Sequence, residues 1–161
     1  MHYSPTPLKI VEQAIKQQGK YDCVYCTIDR DTHETFDAAL KLAKTSAKIK
    51  IIASYPCYEF WLLLHFCKHL KEYKAVGNYS PADVLIKDLC KYSGMENYDK
   101  GEERNLFCFL LNNGFTQARE NSPIILKNAK TSGQMNPSTQ LHELIDYFEK
   151  LSQPQPIESA K

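Results

Sequence analysis

Tyr21-Asp22-Cys23-Val24-Tyr25-Cys26-Thr27-Ile28 runs directly into Asp29-Arg30-Asp31, and the architecture follows from how that junction is read. The first part is rich in β-branched and aromatic side chains without polar alternation, the pattern of a strand buried on both faces in a parallel sheet. Upstream, Thr6-Pro7 makes an N-cap with proline in the first turn, and Leu8, Val11, Ala14 and Ile15 recur at helical spacing up to Gly19. Downstream, residues 34–47 carry Phe36, Ala39, Leu40 and Ala43 on one helical face, and Ile49 to Ala53 form a second strand ending at Ser54. Strand, helix and strand make a βαβ unit, so the expected class is α/β with a parallel sheet core. A helix that leads into a buried strand is normally fed by an earlier strand, so the sheet is expected to lack its first strand.

Beyond Pro56 the pattern turns helical for most of the remaining chain. Apolar residues run from Tyr58 to Leu70, Ser80-Pro81-Ala82-Asp83 opens a helix to about Tyr92, and further helical stretches are predicted over 102–113, 116–130 and 137–151, with Pro123 interrupting the third. The helical part thus spans about 58–151 of a single domain over 1–151, followed by a disordered tail over 152–161 that contains Gln153-Pro154-Gln155-Pro156. A length of 161 residues suits one domain and excludes several catalytic ones. Net charge is only +1, so no global field draws the protein onto nucleic acid or anionic lipid, and such binding requires a local patch. The start lacks a signal sequence and the longest apolar run, Phe60 to Leu64, is too short to span a bilayer, which predicts a cytoplasmic protein with no membrane association. Cysteines 23, 26, 57, 67, 90 and 108 are scattered through apolar segments and read as reduced, buried thiols.

The chemistry concentrates where the strands end. Residues two apart on extended backbone point the same way, so Asp29 and Asp31 can converge beyond the strand's carboxyl end, where open α/β folds bind ligands. Two such carboxylates repel unless a cation lies between them, and Mg²⁺ (or Mn²⁺) suits a site of one or two carboxylates plus waters. The competing explanation is an acidic loop in which Asp31 or Thr32 caps the next helix. The second strand delivers Ser54-Tyr55-Pro56-Cys57-Tyr58-Glu59-Phe60-Trp61 to the same edge. Glu59 is there either a third carboxylate and water-positioning base, or a residue placed to favour a helix N-terminus. Ser54 either contacts substrate or closes the turn. Proline at this strand-to-helix corner makes the Tyr55–Pro56 bond a candidate for the cis form.

Other constellations are weaker. His65 and His69 share a helix face with Trp61, but position 66 is Phe where a zinc protease needs glutamate, so packing is the better explanation. Cys23 and Cys26 match C-x-x-C in letters, yet an odd separation on a strand puts the two sulfurs on opposite faces. A phosphatase of haloacid-dehalogenase type would want Thr or Val at position 33, which is His.

Taken together, Ile28-Asp29-Arg30-Asp31 and Ser54-Tyr55-Pro56-Cys57-Tyr58-Glu59-Phe60-Trp61-Leu62-Leu63-Leu64-His65-Phe66 resemble the RloB-like family. Weaker support comes from Asn97-Tyr98-Asp99-Lys100, Ile125-Leu126-Lys127-Asn128-Ala129-Lys130 and Asn136-Pro137-Ser138-Thr139. The resemblance implies a Toprim-like fold and a bacterial phage-defence (abortive infection) effector that cuts phosphodiesters beside a partner ATPase. Asp29 and Asp31 would be its D-x-D metal ligands, with Glu59 as an auxiliary catalytic carboxylate. On the nuclease reading Lys100, Lys127 and Lys130 would neutralise phosphates of a nucleic-acid substrate, although each lysine taken singly is better read as a solvated surface charge, and homo-oligomerisation is left open. Family members usually begin with a strand that ends in a glutamate followed by glycine; this sequence lacks it, and Glu12, inside a helix, is a poor replacement, so weakened or absent catalysis is expected. The alternative is a non-catalytic interaction module that docks on the partner ATPase.

Overall fold

A computed structural model describes residues 5–100 and 106–153. Pro7 opens helix α1 (Pro7–Gln17), which buries Val11 and leads through a short 3₁₀ turn to strand β1 (Val24–Asp29). Helix α2 (Phe36–Ala43) and strand β2 (Ile49–Tyr55) complete the βαβ unit. β1 and β2 pair in parallel from Val24↔Ile49 to Asp29↔Ser54, as the pattern predicted.

The sheet is mixed rather than wholly parallel. A two-residue strand, β3 (Ser138–Thr139), pairs antiparallel on the far side of β2, giving the order β1-β2-β3. Such a short, polar pair after proline carries no strand periodicity, so it is recognisable only once folded. The β1–β2 unit otherwise obeys the period of two. Cys26, Ile28, Ile49 and Ala53 pack with Val11, Phe36 and Ala39 on one face, whereas Ile52 faces a second core built from Phe60, Leu62, Leu85, Leu89 and Ile125.

β1 is not buried on both faces as expected, because Thr27 is exposed in its middle. It is also an edge. Val24 N–H donates to Lys48 C=O and Arg30 N–H to Ser54 C=O at 2.9 Å each. Even-numbered residues therefore turn their backbone groups toward β2, and Tyr25, Thr27 and Asp29 turn theirs outward, where no strand pairs with them among the described residues.

The helical half follows with changed boundaries. The apolar run after Pro56 is helical only over α3 (Glu59–Leu63), not to Leu70. Its continuation is stopped where Gly114 crosses against the His65 carbonyl, and the chain leaves through turns at His65 and Phe66. Helix α4 (Pro81–Leu89) starts with a complete capping box between Ser80 and Asp83. Helices α5 (Leu106–Asn112), α6 (Phe115–Ser132) and α7 (Leu141–Ser152) follow. Pro123 does not interrupt α6. The hydrogen bond it removes is offset by the buried face Ala118, Ser122, Ile125, Leu126 and Ala129. Among the described residues no helix is long and apolar enough to cross a membrane. The cysteines are free, as predicted, but only Cys26 and Cys57 are buried; Cys23, Cys67 and Cys90 are half-buried and Cys108 is exposed. Of the tail predicted over 152–161, residues 154–161 lie outside the described residues.

Candidate functional site

The junction after β1 folds over the end of β2. Arg30 N–H donates to Ser54 C=O (2.9 Å) and Asp31 N–H to Pro56 C=O (2.8 Å), so the acidic loop is held against the strand-to-helix corner by backbone bonds. The Tyr55–Pro56 peptide at that corner is cis. Because Asp29 is in register with Ser54, α3 starts within reach of the Asp29 carboxylate, which accepts a hydrogen bond from the Tyr58 backbone N–H.

Three carboxylates meet there, each in a different setting. Glu59 is only 4% exposed. Its Oε1 accepts from the Tyr98 hydroxyl (3.1 Å) and faces Lys100 Nζ at 3.6 Å, while its buried Oε2 has no hydrogen-bond partner. Burial, and next the Glu59 charge, push the Asp29 carboxyl up to about 6, against the opposing pull of Lys100 and the Tyr58 N–H; Asp31 adds a smaller push. Asp31 Oδ1 accepts from Ala82 N–H (3.1 Å) in the first turn of α4. Asp31 is therefore a cap, but of a helix far along the chain rather than of the one that follows it.

The arrangement also raises neighbours that lose or keep a proton. Burial above all, then the adjacent Glu59 charge, pushes the Cys57 thiol and the Tyr98 hydroxyl up, so both stay protonated in the neutral range. For Lys100, burial pulls downward but is outweighed by the carboxylates, Glu59 first and then Asp29 and Asp31, which hold the ammonium charged.

A cleft of about 290 Å³ opens beside Asp29 and is bounded by Thr27, His33, Ser54, Tyr58 and Leu141. His33 and Tyr58 were not singled out from sequence as site residues; proximity in sequence to Asp31 and Glu59 was the only available signal. Ser54 borders the cleft, yet its hydroxyl is buried against the Thr139 hydroxyl (2.9 Å), stitching β2 to β3. Lys127 is exposed on α6, and Lys130 lies 3.8 Å from Glu143. Among the described residues no hydrogen bond or ion pair links either lysine to the three carboxylates. His65 is buried with Nδ1 3.0 Å from the Trp61 carbonyl, and His69 stacks on Tyr73, in keeping with packing roles.

Among the described residues no set of three or more His, Cys, Asp or Glu side chains is disposed to cage a metal ion. The donor set instead fits an ion that needs few protein ligands. Asp29 and Asp31 each keep one carboxylate oxygen clear of the backbone bonds just described, and the unpartnered Glu59 Oε2 supplies a third negative oxygen nearby. Mg²⁺ held by one or two carboxylates and completed by water suits that supply.

Compared with known proteins, residues 2–148 match a family model described as RloB-like protein. No curated protein and no solved structure matches the chain.

Proposed function

The chain belongs to the RloB-like family, and from that premise we propose that it is a divalent-metal-dependent nuclease effector of bacterial phage defence, acting with a partner ATPase. The observation that supports this reading is a nine-tenths-buried Glu59 with one unpartnered oxygen, beside an Asp29 whose carboxyl is pushed up to about 6. Such a cluster is undercompensated in negative charge, and a bound divalent cation would relieve it.

Asp29 and Asp31 would hold Mg²⁺ or Mn²⁺, with Glu59 completing the acidic lining. The ion, when bound, polarises a phosphoryl oxygen and lowers the pKa of water. The protein's own residues divide the remaining work. The cleft bounded by His33 and Tyr58 admits the backbone of a nucleic acid next to Asp29, Lys100, half-exposed beside Glu59, counters phosphate charge, and Ser54 keeps the two strand ends in register rather than touching substrate.

One observation favours the second reading, a non-catalytic module docking on the ATPase. Each carboxylate already has a partner within the protein: the Tyr58 N–H, the Ala82 N–H, and Tyr98 with Lys100. Thermal melting with added Mn²⁺ separates the two. A rise in midpoint that disappears in Asp29→Asn/Asp31→Asn is expected for the nuclease. Plasmid nicking that persists in the double variant discards the proposed centre, and a chain that neither responds to metal nor nicks, but co-purifies with an ATPase, is the docking module.

A further inference from the structure

Asp29, Asp31 and Glu59 all act on the Lys100 ammonium, and its Nζ lies 3.6 Å from Glu59 Oε1. The geometry differs from that of a surface ion pair. The glutamate is 4% exposed, while the lysine side chain keeps 53% of its surface, so a fixed buried anion is met by a cation reaching in from solvent. Tyr98, two residues earlier, donates to the same oxygen. The short segment from Tyr98 to Lys100 therefore brings a neutral donor and a positive charge to Oε1, and leaves Oε2 unpartnered.

We propose that Lys100 is a resident counter-charge of the acidic cluster that sets its net charge near minus two and thereby disfavours a trivalent cation more than a divalent one. This rests on the metal reading above and adds a specificity determinant to it. Three carboxylates against one ammonium leave a deficit that a divalent ion cancels. An incoming ion is repelled by the ammonium in proportion to its own charge, so Lys100 penalises a trivalent ion half as much again as a divalent one. Half-exposure screens that repulsion without abolishing it.

The test is binding, not turnover. Mn²⁺ is titrated calorimetrically, and Tb³⁺ is titrated by its luminescence sensitised through Tyr58 and Tyr98. Lys100→Met keeps the stem and removes the charge; it is expected to tighten Mn²⁺ about tenfold and Tb³⁺ about thirtyfold. Lys100→Arg is expected to behave as the wild type. A Lys100→Met affinity for Mn²⁺ that is unchanged or weaker, or an equal gain for both ions, overturns the assignment. If Lys100→Met does not fold by circular dichroism, Lys100→Gln carries the same expectation. The failures are distinguishable. Loss of both ions in Asp29→Asn with no change in Lys100→Met sinks only the role of Lys100, whereas a wild type that binds neither ion sinks the metal centre itself.

Discussion

Asp29 sits at the end of a strand where burial and the charge of Glu59 hold its carboxyl at about 6, above its ordinary 3.8. The folded protein thus keeps a proton that the unfolded chain has already lost between about pH 4 and 6, and stability falls as pH rises through that window. Above it, the ionised Asp29 costs the metal-free protein about 2–3 kcal/mol. Asp29→Asn, which can still accept from the Tyr58 N–H, should raise the unfolding free energy by that amount at pH 7, with the gain vanishing toward pH 4; denaturant titrations at the two pH values check it. Asp31 works in the other direction. Asp31→Ala leaves the Ala82 N–H without its acceptor, and a loss of about 1 kcal/mol is expected in the same experiment. The D-x-D spacing made both aspartates visible from the sequence as a pair at a strand end. Their separate partners were not legible, because Tyr58 and Ala82 reach them only through the tertiary course of the chain.

At the scale of elements, α1, β1, α2, β2 and the start of α4 were readable because each is a local pattern: a proline at the first helical turn, a β-rich apolar run, a period near four, a Ser-Pro helix start. The misreadings share a cause in long-range packing. The run after Pro56 is apolar enough for a long helix, but α6 begins directly against it, with Gly114 at φ 87° and no room for a side chain beside the His65 carbonyl. Gly114→Ala combines left-handed backbone with a backbone clash and should cost at least about 3 kcal/mol, read as a lowered melting midpoint. Pro123 misled for the converse reason, since a buried helix face outweighs one missing hydrogen bond.

Across the whole molecule, the two cores meet on opposite faces of β2, and the strip at residues 138–142 ties them together. Thr139 bonds Ser54; Gln140 exchanges backbone and side-chain bonds with Ala53; Ser122 bonds His142 at 2.7 Å. Thr139→Val leaves the buried Ser54 hydroxyl unpaired, and a loss of about 1–3 kcal/mol by chemical denaturation is expected. Burial lowers the pKa of His142 and of His65, so both resist protonation, and their contribution to stability declines as pH falls below the ordinary histidine value of 6.5. The Ser54–Thr139 bond joins residues 85 apart in sequence. That span has a temporal consequence. During vectorial synthesis the acidic junction and β2 emerge before residues 138–139, so the far side of β2 stays unsealed until that later segment has followed. The chemistry proposed for this edge therefore waits on a segment synthesised well after the edge itself.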